Sequence, residues 1–197
     1  AFSGRNVLTS INGNDWSPLA LADPNFKNSL GYDYAMNDLV WTGAFYVAVG
    51  ENGWILKSDD GISWTKGGVG GFGNFTTEFY SVVYTGSQLL AGGQNILWSS
   101  TNGVDWVAVS FGSFTRFRDI AWNGSTFMTV GGSEVKSSSD GVSWTTVHTR
   151  ANGDLRSIAW SGSEWIMGGA MDVLGFNRTP FVAISNNGSS WINETGN

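Results

Sequence analysis

Apolar positions in this chain come in short runs that stop at a glycine or at a polar turn. The segments "NDLVW" (37–41), "FYVAV" (45–49) and "WILKS" (54–58) follow one another, and "SWT" (63–65) comes after an Asp-Gly pair. Runs of this length, rich in Val, Ile, Tyr, Phe and Trp and bounded by Gly, Asn and Asp, predict strands joined by tight turns. No segment shows the apolar spacing of three and four that an amphipathic helix needs. The chain is therefore expected to be all-β.

The order then repeats. "SINGNDW" (10–16), "SDDGISW" (58–64), "STNGVDW" (100–106), "SSDGVSW" (138–144) and "SNNGSSW" (185–191) are five versions of one seven-residue phrase. A second phrase of the form aromatic-x-Gly-x6-Gly occurs four times without gaps. Its members are Trp41/Gly43/Gly50, Tyr84/Gly86/Gly93, Trp122/Gly124/Gly131 and Trp160/Gly162/Gly169. Asn-Gly or Asp-Gly between apolar residues is a strong hairpin signal, and it predicts positive φ at both central residues. Each seven-residue phrase thus reads as a hairpin between a third and a fourth strand, with its Trp packed inward and filling space between neighbouring sheets.

Four short antiparallel strands every 38–48 residues is the period of a β-propeller blade. One blade cannot bury both of its own faces, and stacking against neighbours does so. The expected architecture is a single β-propeller domain over 1–197 with five blades, the first incomplete. The partial blade covers 1–16 and supplies the outer two strands; the others cover about 35–65, 78–107, 116–145 and 154–192. An incomplete first blade would present an edge able to pair with another strand of a longer chain or an oligomer.

The repeated Ser-x-Asp/Asn-Gly-x-x-Trp phrase resembles the Asp box of the bacterial-neuraminidase-repeat propellers, whose usual form is Ser-x-Asp-x-Gly-x-Thr-Trp. The copies here are one residue shorter between the Asp or Asn and the Trp. The resemblance extends over nearly the whole chain and implies the propeller fold. Similar runs also look like repeats in large bacterial surface proteins and in phage or giant-virus proteins. Sialidase activity is not implied, because that branch uses an arginine triad and a tyrosine nucleophile in a longer, six-bladed chain.

Strand order places the turns between strands one and two, and between three and four, at one end of each blade. Those turns are the two repeated phrases and read as scaffold. The turns between strands two and three, and the crossings from blade to blade, gather at the other end and vary. They include the insertion "AMDVLGFNRTPF" (170–181). Rigid scaffolds carry recognition on variable loops, so this end is the expected binding surface. Its candidate ligand-binding residues are Asn37, Tyr80, Arg118 and Arg156, four positions before each strand-one aromatic, together with Asp38, Asp119, Phe79, Phe117, Arg116 and Arg178. Further aromatics on this side are Phe26, Tyr32, Tyr34, Phe72, Phe75, Phe111 and Phe114. Aromatic faces flanked by Asn, Asp and Arg suit sugars, which stack through C–H faces and accept bidentate hydrogen bonds.

Composition narrows the chemistry. A net charge of −6 argues against a nucleic-acid binder that neutralises phosphates. There is no apolar run near the ~20 residues of a membrane helix. The chain has no Cys and one His, His148, so no thiolate or imidazole metal site and no Ser/His/Asp set is expected. Glu51, Asp154, Glu164 and Asp172 are the conceivable carboxylates for glycoside hydrolysis. The reading is a non-catalytic module without cofactor or metal, recognising glycans multivalently on a cell or virion surface. The alternative is a protein-interaction or structural module of a larger assembly.

Overall fold

Strands account for most of the chain because its apolar runs alternate with turn residues that carry their own hydrogen-bonding side chains. The computed structural model describes residues 2–3, 6–10, 12–19, 35–67, 78–110, 116–173 and 177–193. The candidates Phe26, Tyr32, Tyr34, Phe72, Phe75, Phe111 and Phe114 lie outside them. Among the described residues there is no α-helix, and a single 3-10 turn occurs at Glu51–Gly53.

Four four-stranded sheets form in chain order. They are β4–β7 (Met36–Trp41, Tyr46–Gly50, Ile55–Ser58, Thr65–Gly67) and β8–β11 (Phe79–Tyr84, Leu89–Gly93, Leu97–Ser100, Val107–Ala108). Then come β12–β15 (Asp119–Trp122, Phe127–Gly131, Glu134–Ser138, Thr145–Thr149) and β16–β19 (Gly153–Trp160, Trp165–Val173, Asn177–Ser185, Ile192–Asn193). In each, neighbours in sequence are neighbours in the sheet, the up-and-down order of a β-propeller blade. The expected five blades are thus four complete ones. The N-terminal segment forms a three-stranded sheet, β1–β3 (Phe2–Ser3, Asn6–Thr9, Ser17–Leu19), rather than a pair of outer strands, because Phe2–Ser3 folds back on Asn6–Val7.

The chain packs as two compact units, Ala1–Ala91 with Trp98–Val107, and Gly92–Leu97 with Ala108–Asn197. In the first, Met36, Ala48, Trp54 and Leu56 form a cluster on β4–β7. In the second, a larger core joins β12–β15 to β16–β19 through Met128, Val130, Val135, Leu155, Ile158, Trp165, Met167, Phe181 and Ala183. The second strand of each of the first three blades is buried nearly throughout, as β5, β9 and β13 show. Burial on both faces is why these strands read as unbroken apolar runs instead of alternating ones.

The second glycine of the aromatic-x-Gly-x6-Gly phrase now has a physical reason. A Cβ at Gly50, Gly131 or Gly169 would strike the carbonyl oxygen of Ala35, Arg116 or Asp154, respectively. Here the chain entering the first strand lies directly against the end of the second. The insertion at 170–181 belongs largely to strand, not loop: β17 and β18 run nine residues each and pair from Trp165↔Ser185 to Val173↔Asn177.

The seven-residue phrase is not the expected two-residue hairpin. Only its glycine has positive φ, 73–75° in all five copies, and the preceding Asp or Asn does not. The turn is closed by side chains instead. Ser58 Oγ accepts from Gly61 N (2.8 Å) and donates to Asp60 Oδ1 (3.0 Å). Asp60 Oδ1 also accepts from Ile62 N and Ser63 N, and Trp64 Nε1 donates to Gly61 O. Ser138, Asp140, Gly141 and Trp144 repeat the set, as do Ser185, Asn187, Gly188 and Trp191. Side-chain oxygens bonding the backbone two and three residues on are what Ser, Asp and Asn do best in turns.

The indoles are less uniform than expected. Trp64 packs on the core of its own sheet, Trp191 on the core shared by two blades, and Trp144 meets Phe117 edge-on. Trp16 is 47% exposed, whereas Trp106 is buried with an Nε1 that has no partner among the described residues.

A second regularity sits inside these boxes. Where the third position is Asn, the sixth is Asp in two copies, and Asn12 and Asn102 donate through Nδ2 to Asp15 and Asp105, both at 2.8 Å. Where the third is Asp, as at Asp60 and Asp140, the sixth is Ser63 or Ser143. Each of these four boxes holds one carboxylate in that pair. The backbone N–H groups of Ser63 and Ile62 hold the Asp60 carboxyl down at about 2, and those of Ser143 and Val142 push Asp140 lower still. Both groups are depressed in the folded chain, so in acid the unfolded chain binds the more protons. Stability therefore falls as pH drops below about 4 towards 2. Asp140→Asn, which keeps the accepting oxygen, is expected to flatten part of that acid limb in urea midpoints measured from pH 5 to 2.

Candidate functional site

Several of the candidate residues hold blades together. Asp119, at the start of β12, bonds Ile120 N through Oδ1 (2.9 Å). Its Oδ2 accepts from Ser157 Oγ (2.9 Å) and Ile158 N (2.8 Å) on β16. Asp38 does the same in the first unit, bonding Leu39 N through Oδ1 and Val82 N of β8 through Oδ2, both at 2.8 Å. The matching positions on the alternate blades are Ser81 and Ser157, so the order along the chain is Asp, Ser, Asp, Ser. Asn37 Nδ2 likewise crosses to the next blade, donating to Phe79 O (2.8 Å) and Glu78 Oε1 (3.0 Å).

Phe79 and Phe117 correct the sequence reading. They are 1% and 0% exposed and are core residues with no face to offer a ligand. Spacing alone marks them as flanking the strand-one start but cannot say which way they point. Tyr80 lies half-buried on β8, next to Phe79.

The arginines behave differently. Arg116, Arg118, Arg150, Arg156 and Arg178 all belong to the second unit and to the crossing ends of its blades. They are five of the chain's six arginines. Arg156 places Nε (3.0 Å) and Nη2 (2.9 Å) on Asp154 Oδ2, and Arg178 Nη1 reaches the same oxygen at 3.4 Å. Burial pushes the Asp154 carboxyl up. The Arg156 hydrogen bonds and the charges of Arg156, Arg118 and Arg178 outweigh this and leave it below the usual carboxylate value. Asp154 thus stays ionised, with two guanidinium groups in contact and the charge of a third acting on it. The convergence follows from the long β17–β18 pair: Asp154 pairs with Ala170, and Ala170 with Pro180, two residues beyond Arg178. Arg150 is occupied otherwise, lying over the Phe181 ring at 3.9 Å with Nε on Met171 Sδ.

Arg116 lines an open cavity of about 380 Å³ with Gln94, Asn95, Gly131, Gly132, Ser133 and Glu134. The chain before β12 bridges back to Gln94 through Arg116, and Phe117 N donates to Gly93 O, which fixes the cavity floor. Asn95 has φ 56°, one of three described non-glycine residues in the left-handed region.

The carboxylates considered for hydrolysis do not come together. Glu51 Oε2 caps Ala35 N in the first unit. Asp154 stands at the start of β16, and Glu164 follows that strand's far end, beside a smaller cavity lined by Trp191 and Ile192. Strand rise separates them by roughly 20 Å, against the roughly 5–9.5 Å between the carboxyls of a glycosidase. The Asp172 side chain lies outside the described residues.

No family model matches the chain, and no curated protein does. Solved structures match as folds. A chain of "YCF48 bound to D1 peptide" is 19% identical with a TM-score of 0.63 over 91% of this chain and 56% of that one. The WD40 β-propeller domain of Doa1 is 14% identical with a TM-score of 0.59, covering 84% of this chain and 56% of that one. A chain of the Mitotic Checkpoint Complex is 15% identical with a TM-score of 0.55, covering 98% and 74%. This chain spans little more than half the length of the first two. The likeness establishes the β-propeller fold.

Proposed function

We propose that this chain is a non-catalytic interaction module that binds a protein or peptide segment at the crossing end of its blades. The observation that carries the reading is the open cavity between the turns at 94–95 and 131–134. Its lining is made of side-chain amides, a hydroxyl, backbone groups, Arg116 and Glu134. Such a surface supplies donors and acceptors suited to main-chain and polar side-chain groups. Among the similar folds, one was solved with a bound peptide and another within a multiprotein complex, which supports the same reading.

The sugar-stacking role weighed from the sequence loses its basis at Phe79 and Phe117, whose rings are in the core. Membership among Asp-box propellers and a place on a cell or virion surface are part of this proposal; the five self-closing Ser-x-Asp/Asn-Gly boxes support the former. Panning a random peptide library against the chain is expected to enrich sequences whose affinity falls about tenfold, the equivalent of ~1.4 kcal/mol, in Arg116→Ala. Enrichment of no peptide, with binding confined to a glycan array, overturns the reading.

A further inference from the structure

We infer that the segment bound by the second unit is acidic, a peptide whose Asp or Glu side chains are received by Arg156 and Arg178 beside Asp154. This rests on the interaction reading above and names the chemistry of the partner.

The argument begins with an imbalance. The chain is acidic overall, with 16 Asp and Glu against ten Lys and Arg. Yet the second unit gathers five arginines at its crossing end, and its one lysine, Lys136 on β14, lies 3.8 Å from Glu134. Arginine is the residue suited to planar, two-pronged recognition of carboxylates, whereas lysine is a point charge. The cluster itself is Arg156 and Arg178 on the single carboxylate of Asp154, with the charge of Arg118 also acting there; Asp172 stands opposite Arg178 in the β17–β18 register.

Its geometry is that of a receptor and not of a closed ion pair. Arg156 and Arg178 contact one oxygen, Asp154 Oδ2, and so share a single acceptor between two forks. Each guanidinium carries five N–H donors, far more than that oxygen can satisfy. The two side chains are 50% and 63% exposed, and Asp154 is 25% exposed. Asp154 therefore holds the forks in place without quenching them, which lowers the ordering cost of receiving a further carboxylate. A long nucleic acid is disfavoured by the chain's net charge of −6, which repels a polyanion beyond the cluster.

The test uses fluorescein-labelled hexaglutamate with blocked ends, and hexaglutamine and hexalysine of the same design, in fluorescence anisotropy at low salt. Hexaglutamate is expected to bind at least about tenfold more tightly than hexaglutamine and to weaken as salt shortens the screening length. Arg178→Gln should reduce binding severalfold and Arg156→Gln/Arg178→Gln about tenfold or more. Asp154→Asn keeps an oxygen to hold the forks and removes the negative charge that repels an incoming carboxylate, so it should tighten binding; a purely structural ion pair would leave affinity unchanged. If circular dichroism shows that the double variant is unfolded, the exposed Arg178→Gln decides alone. Equal binding of hexaglutamine, indifference to the arginine variants, or preference for a labelled oligothymidylate overturns the inference. So does binding of hexa-alanine with a free C-terminus in place of hexaglutamate, which would move the carboxylate to a chain end. Library peptides that depend on Arg116 but carry no acidic residues would refute the acidic partner and leave the interaction module standing. If no peptide binds at all, both fall.

Discussion

Asp119→Ala is expected to lower the stability of the chain by about 3 kcal/mol, read as a shift in the urea midpoint at constant slope. The carboxylate receives three hydrogen bonds, one from its own strand and two from the neighbouring blade. Hydrogen bonds to charged groups contribute about 1.5–3 kcal/mol each in favourable cases, and donors left without a partner add their desolvation cost. Ile158 N is such a donor, since its bond to Asp119 is part-buried and Ile158 itself is in the core. Asp119→Asn retains one accepting oxygen and should lose less than half as much. A ligand-binding aspartate at the surface would show the opposite balance, with stability unchanged and affinity lost. An alanine variant within about 0.5 kcal/mol of the parent would refute the stapling role.

Gly131→Ala is expected to cost about 3 kcal/mol, while the same change next door, Gly132→Ala, costs about 1 kcal/mol. At Gly131 the new methyl meets the backbone oxygen of Arg116, which cannot swing aside as a side chain would. Overpacking of this kind costs about 1–3 kcal/mol and sometimes more. At Gly132 nothing lies within 4 Å of the added carbon, and only the left-handed φ of 58° is strained, a cost of about 1–2 kcal/mol. Thermal unfolding of the two variants under one set of conditions distinguishes backbone collision from backbone conformation. Equal losses would mean that the Arg116 segment yields.

Most of the scaffold was legible because each blade announces its turns twice. The phrase with Gly43 and Gly50 marks the first turn and the end of the second strand; the Ser-x-Asp/Asn-Gly phrase marks the last turn. The Asn-Gly or Asp-Gly pair alone misdirects the turn geometry; the informative residue is the serine two positions before it. That serine was present in all five copies, and its hydroxyl together with the Asp or Asn oxygen does the work that positive φ at two residues would otherwise do.

The site was only partly legible. Asp38 and Asp119 stood out by position, but their role depends on a backbone N–H some 40 residues later, at Val82 and Ile158. The alternation of Asp with Ser at these positions was the available clue. Phe79 and Phe117 could not be told from surface aromatics by spacing, because a residue at or just before the start of a strand faces inward or outward according to the crossing that delivers it. Arg156 and Arg178 meet through the added length of β17 and β18, read from the sequence as a loop.

The Asp-to-Ser stapling has a consequence for how such a chain can be lengthened or shortened. Removing one blade would set Asp38 opposite a blade that offers Asp119 where Ser81 had been, carboxylate against carboxylate. Removing two sets Asp38 opposite Ser157, an Asp against a Ser once more. The module that can be copied or deleted in tandem without setting carboxylate against carboxylate is therefore a pair of blades.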